Sequence, residues 1–384
     1  MINYGKQSID QDDISAVVET LKSDWLTQGP KVEEFENCLA DYCNVKYAIA
    51  VSNGTAALHL ANLALGVTKK TKVVTTPITF LATANSVVYA GGDPIFSDIS
   101  NKTFTLDPVQ LEERIKNDQN IRGIINVHLG GNTSNIEEIN KIADKYNLWV
   151  IEDSCHALGG TWKDKNGILR KVGDCSFSDI ATFSFHPVKQ ITTGEGGAIT
   201  TNNREIYERL ITLRTHGMIK DSSLINNNEG GWYYEMQELG YNYRITDFQA
   251  ALGIEQLKKS DKWQKMRRHI VSVYDQEFDF LDQITPQNHP DQNLNFSYHL
   301  YIIQCEKRLE LYNYLKENKI NTQVHYIPIH QQPYYKNKFG YEVGDFPNAE
   351  SYYKKALSLP LYPTLTEVEQ ERIISIIREF YEKN

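Results

Sequence analysis

The chain has 384 residues, 41% of them hydrophobic and 23% charged, which is the composition of a globular protein and a length that calls for two domains, one large and one small. A formal net charge of −9 argues against nucleic acid as a partner, because that needs a dense basic patch. It leaves room for an anionic small molecule held by a local cluster. There is no apolar run of about 18 residues, so no membrane partner is expected, and residues 1–13 lack the basic-then-apolar pattern of a leader. The five cysteines are scattered and form no CxxC pair. The expectation is therefore a cytoplasmic protein with reduced thiols and no metal site.

Short apolar runs at 47–51, 72–75, 95–97, 123–127 and 148–151 predict strands. Helical patterns lie between them at 55–65 and 80–89, and a further helix starts at Asp107-Pro108, an N-cap followed by proline at the first helical position. Ser134-Asn135-Ile136-Glu137 has the spacing of a capping box, with Ile136, Ile139 and Ala143 as the apolar stripe behind it. Strand alternating with helix predicts a mainly parallel α/β sheet. Ligands bind such sheets at the carboxyl ends of the strands, and Asn53-Gly54-Thr55, Thr79-Phe80 and Asp153 all fall there. Past residue 250 the pattern changes to long charged helices over 246–281, a strand at 298–303 and a helix at 309–319. The expected division is a large α/β domain, 1–250, and a small C-terminal α+β domain, 251–384.

The stretch Phe183-Ser184-Phe185-His186-Pro187-Val188-Lys189, followed by Thr192-Thr193-Gly194-Glu195-Gly196-Gly197, places one lysine in an apolar, glycine-bounded setting. Desolvation makes an amine easier to deprotonate and so a nucleophile, the property used in Schiff bases with pyridoxal phosphate; a solvated surface lysine is the plain alternative. Ser52-Asn53-Gly54-Thr55-Ala56 follows a strand and opens a helix, and so suits either a phosphate or an ordinary N-cap. Asp153 either pairs with a protonated pyridine nitrogen or caps a turn. His156 either meets a ring hydroxyl or is a satisfied polar residue, and Cys155 reads as a small core residue. Phe80 stacks on an aromatic ring or packs in the core. Asn242 and Arg244, in Gly240-Tyr241-Asn242-Tyr243-Arg244, reach an anion or cap the next helix. His325-Tyr326-Ile327-Pro328-Ile329-His330 lines a substrate mouth or forms a rigid turn. Neither a dinucleotide GxGxxG nor a Walker loop occurs.

Taken in order, these segments resemble the DegT/StrS family of sugar-nucleotide aminotransferases, fold-type-I enzymes that use pyridoxal 5'-phosphate. The matching pieces also include Trp25 to Pro30, Arg214-Thr215-His216-Gly217 and Gln249 to Gly253, so the resemblance spans nearly the whole chain. It implies that Lys189 forms the Schiff base and shuttles protons, that Asp153 pairs with the pyridine nitrogen, and that His156 contacts the ring hydroxyl, where the family often has glutamine. It further implies that Phe80 stacks on the ring and that Thr55, the Ala56 backbone and Ser184 hold the phosphate. Asn242 would reach the cofactor of a neighbouring subunit, making the active unit a homodimer.

Thr75 to Asn85, Trp232 to Gly240 and Gln323 to His330 resemble the branch of the family acting in pseudaminic acid synthesis. That branch implies amination of C4 of a UDP-linked 2-acetamido-2,6-dideoxy-4-keto-hexose, with L-glutamate as donor, 2-oxoglutarate as product and pyridoxamine phosphate as the alternating cofactor form. Another nucleotide-sugar 3- or 4-aminotransferase and a non-catalytic regulatory protein of the same fold are the alternatives. A sugar 3-dehydratase of this fold would carry histidine at the position of Lys189. Candidate substrate contacts are Tyr4, Lys6, Trp25, His325 and Tyr326, with Arg214 or Arg244 for the donor carboxylate through a bidentate pair.

Overall fold

The computed structural model describes residues 1–133, 135–221, 223–227, 229–287 and 295–383. Its centre is a seven-stranded sheet in the order Tyr47–Val51, Gly197–Thr201, Ile180–Ser184, Trp149–Asp153, Ile121–Val127, Lys72–Thr75, Asp93–Phe96. Only Gly197–Thr201 runs antiparallel to its neighbours; the other pairings are parallel. This is the mainly parallel mixed sheet expected. Pro94 sits in the edge strand Asp93–Phe96, one of the few places where a residue without an N–H fits a ladder. The strand therefore begins two residues before the apolar run, at Asp93.

Side chains alternate between the two faces of the sheet. Ile49 and Val51 join Leu58, Leu60, Ile151 and Ile180 in one buried cluster, while Ala48 and Ala50 join Phe35, Leu39, Phe183 and Phe185 in another. The helix Gly54–Ala64 is capped by Asn53, whose Oδ1 accepts from the Ala56 N–H at 2.8 Å. Asp107 caps Pro108–Asn117 through the N–H groups of Val109 and Gln110. The capping box at Ser134 lies outside the described residues, and the helix Ile136–Tyr146 follows Asn135 in the left-handed region at φ 68°.

One helix, Asp247–Phe278, replaces the several expected over 246–281; its Thr246 cap pairs with Gln249 in a capping box. Ala250, Ile254 and Leu257 from its first half enter the cluster around Phe35. Ile270, Val271, Tyr274 and Phe278 from its second half enter a separate core with Tyr301, Ile303, Leu357 and Ile373. Residue 250 thus lies inside a helix shared by two cores. Ile2 also belongs to the second core, so the start of the chain packs with its C-terminal part. That core surrounds an antiparallel sheet of Ile284–Pro286, Tyr301–Cys305 and Ala356–Leu359. Gly131 joins the two parts: at φ +101°, a Cβ there would lie 2.0 Å from the Ser297 carbonyl. Among the described residues no helix is long and apolar enough to cross a membrane.

Candidate active site

A cavity of about 860 Å³ opens at the carboxyl ends of the parallel strands. The strand Trp149–Asp153 ends on Asp153, and the loop after Ile180–Ser184 turns back through His186, whose carbonyl accepts from the Lys189 N–H at 2.9 Å. Lys189 and Asp153 therefore reach one cavity from adjacent strands. Burial pushes the Lys189 ammonium below the ordinary lysine range, and the charges of Cys155 and Asp153 oppose the shift. Burial also raises the Cys155 thiol well above its usual range. Cys155 is therefore neutral near pH 7, and Asp153 is the charge that Lys189 feels.

Asp153 is buried. Its Oδ2 accepts from the Thr83 hydroxyl at 2.6 Å and its Oδ1 from the Cys155 N–H at 3.3 Å. It forms no ion pair with any described residue, and a buried carboxylate without a cation is costly. A ligand that brings a positive charge to this end of the cavity would satisfy it.

At another wall Gly54 opens the helix Gly54–Ala64. A Cβ there would lie 2.9 Å from Ser184 Cβ and 3.4 Å from Cys155 Sγ, so only glycine lets the turn pack this closely. Asn53 already occupies the Ala56 N–H. Among the described residues, this leaves the N–H groups of Gly54 and Thr55 free at the positive end of the helix, with the Thr55 and Ser184 hydroxyls beside the same cavity. Phe80 lines the cavity and is 56% exposed, so one side of its ring is open to a flat partner. Pyridoxal phosphate fits these residues: an anion cradle, an open aromatic face, a desolvated amine and an uncompensated carboxylate.

His156, His299 and His325 form the remaining polar wall with Tyr326. His156 Nδ1 accepts from the Gly130 N–H at 3.2 Å, which puts the proton of the neutral ring on Nε2, 3.1 Å from Tyr326 Oη. Burial, then the Lys189 charge, holds both His156 and His299 well below the ordinary histidine range. The same causes bring His325 down to about 3. Its Nδ1 lies 2.8 Å from Ser358 Oγ. Because the three folded-state values lie below the unfolded value of about 6.5, the unfolded chain binds more protons in acid. Stability is then full above about pH 6.5 and falls below it, by about 1.4 kcal/mol per pH unit for each histidine that stays neutral. Thermal unfolding between pH 7.5 and 4.5 should show Tm falling progressively below pH 6.5; a Tm independent of pH there would mean that the histidines are charged when folded.

Tyr4, Thr55, Ala56, Phe80, Asp153, His156, Ser184, Lys189, His325 and Tyr326 share this cavity. Lys6 lines a separate small cavity behind Lys189, next to Arg267. Trp25 is exposed, beside Gly29. Arg214 ion-pairs with Glu36 and donates to the Ala50 carbonyl at 2.8 Å, while Glu36 accepts from the Ala50 N–H at 2.8 Å, so its charge is used in fastening the edge strand Tyr47–Val51. Arg244 and Asn242 do not line the cavity; Asn242 is exposed and bridges Thr215 through its backbone. Thr83, His59, Tyr243 and His299 line it without having been singled out in the sequence. Thr83 had a signal, a hydroxyl four residues after Thr79 at a helix start. His299 had none, because only the fold brings it to within 4.4 Å of His156, ring to ring.

The profile of the DegT/DnrJ/EryC1/StrS aminotransferase family matches residues 7–378. A UDP-4-amino-4,6-dideoxy-N-acetyl-beta-L-altrosamine transaminase of Campylobacter jejuni is 43% identical over 369 residues, covering 94% of this chain and 93% of its own. The spore coat polysaccharide biosynthesis protein SpsC of Bacillus subtilis is 39% identical over 384 residues, covering 98% and 96%. Among solved structures, Helicobacter pylori PseC, an aminotransferase involved in the biosynthesis of pseudoaminic acid, superposes with a TM-score of 0.91 at 32% identity over 100% of both chains. The PMP form of the putative sugar aminotransferase Spr1654 from Streptococcus pneumoniae gives 0.92 at 29% identity, again over 100% of both. Sequence and fold agree along the whole chain: it belongs to the DegT/DnrJ/EryC1/StrS aminotransferase family.

Proposed function

We propose that the chain transfers an amino group from L-glutamate to C4 of a UDP-linked 2-acetamido-2,6-dideoxy-4-keto-hexose, using pyridoxal 5'-phosphate. The observation that carries the reading is Lys189 and Asp153 meeting in one cavity with the free N–H groups of Gly54 and Thr55. The names of the Campylobacter and Helicobacter relatives support the sugar, and the pyridoxamine form of the Streptococcus neighbour supports the cofactor.

When bound, the cofactor supplies an electron sink for the carbanion left by proton removal. Asp153 would hold the positive ring nitrogen. Thr55, Ser184 and the free Gly54 N–H would hold the phosphate, in place of the Ala56 N–H that Asn53 occupies, and Phe80 would cover a ring face. His156 offers its Nε2 proton to an oxygen at the cavity wall. Lys189, whose burial favours the neutral amine, removes the α-proton of the donor and returns a proton at C4 of the sugar.

The working unit in this reading is a homodimer. Asn242 is exposed, and Trp232, Met236 and Leu239 nearby are 74%, 64% and 75% exposed, an apolar surface of the sort that a second copy covers. We place the division between the large and small domains within Asp247–Phe278, whose first half packs in one core and second half in the other, and the enzyme in the cytoplasm.

The test is a panel of UDP- and GDP-linked 3-keto and 4-keto sugars incubated with glutamate, read by mass spectrometry and 2-oxoglutarate release. Amination of the UDP-linked 4-keto-6-deoxy-HexNAc is expected. Preference for another keto sugar would favour a different nucleotide-sugar aminotransferase, and no amination of any would favour a non-catalytic role. Light scattering should give twice the mass of one chain.

A further inference from the structure

The carboxylate of Asp153 is the end of a buried chain of hydroxyls. Thr83 Oγ1 lies 2.6 Å from Asp153 Oδ2, and Thr79 Oγ1 lies 2.7 Å from Thr83 Oγ1. Thr83 is 0% and Thr79 3% exposed. The direction of the chain follows from its end. An ionised carboxylate only accepts, so the single hydroxyl proton of Thr83 goes to Asp153. Thr83 must then accept from Thr79, which donates. Hydrogen bonds aligned in this way strengthen one another in a low-dielectric interior. Cys155 also meets the carboxylate, its N–H reaching Oδ1 at the longer distance of 3.3 Å and its thiol adding a side-chain contact.

We infer that Thr83, backed by Thr79, keeps Asp153 the weaker base of its charge pair with the cofactor's ring nitrogen, so that the shared proton stays on nitrogen. The inference rests on the cofactor reading above. A donor to the carboxylate favours its charged form, and in a coupled pair whatever stabilises the anion leaves the proton with the partner. Thr83 acts through Asp153 and is a positioning residue. Its place explains why two threonines four residues apart bracket the start of the helix Leu81–Tyr89.

The test reconstitutes the full-length protein and its T83V, T83S and T79V variants with pyridoxal phosphate labelled with ¹⁵N in the ring, and reads the nitrogen shift together with steady-state kinetics. Wild type and T83S should show a pyridinium shift. T83V should move towards neutral pyridine and lose kcat about tenfold or more, the worth of one hydrogen bond to a charge, with little change in KM for the amino donor. T79V, which leaves the Asp153 contact in place and removes its support, should move the same way by less, and it carries the test if T83V does not fold. A T83V or T79V protein with a wild-type pyridinium shift and wild-type kcat overturns the relay, whatever its thermal stability, and leaves the cofactor reading intact. Failure of the wild-type protein to take up the cofactor overturns both.

Discussion

Exchange of Lys189 for alanine is expected to lower turnover about a thousandfold or more, since it removes both the nucleophile and the proton carrier. Lys189→Arg should fail nearly as completely. A guanidinium keeps its proton at any working pH, whereas the role of Lys189 needs a neutral amine. Burial favours that neutral form and Asp153 opposes it. Because the ammonium titrates below its ordinary range, activity should rise with pH as the amine loses its proton, and should level off before the usual lysine range near 10.4. Steady-state rates of the three proteins across pH check both statements. An active arginine variant would remove Lys189 from the chemistry.

Asp153→Asn should lower kcat by about 10²–10³-fold, the usual effect of deleting one preorganised electrostatic partner from a reacting centre. The substitution keeps shape and volume and loses the negative charge. Asparagine could still accept from Thr83 through its carbonyl, so the fold around the Thr83 contact should hold and Tm should change little or rise, because an uncompensated buried charge is gone. A fall in kcat with an intact Tm is the signature to look for. A variant that turns over like wild type would mean that Asp153 is no more than a turn residue.

Much of this was legible in the sequence, for local reasons. The apolar runs at 47–51 and 72–75 became the strands Tyr47–Val51 and Lys72–Thr75 without change, because a buried parallel strand is a continuous apolar segment. The cap at Asp107 forms as its residue type suggests, whereas the helix Asp247–Phe278 is capped by Thr246 and not by Asn242 or Arg244. The strand Gly197–Thr201 was not anticipated; its Gly-Ala-Ile-Thr-Thr run is small and polar, and it is buried only because strands flank it on both sides.

The site shows the same divide. Lys189, Asp153 and the Gly54 turn lie in motifs readable along the chain. The place of His299 and the contact of the Thr79–Thr83 hydroxyls with the Asp153 carboxylate depend on packing between distant segments. Arg214 shows the converse: a motif arginine that suggests a ligand contact has its charge taken up by Glu36.

If Lys189 holds the cofactor, incubating the protein with pyridoxal phosphate, reducing it with borohydride and mapping its peptides should give one stoichiometric pyridoxyl adduct, on Lys189, which glutamate added before reduction suppresses. An unmodified Lys189 peptide, with the adduct elsewhere or absent, would contradict it.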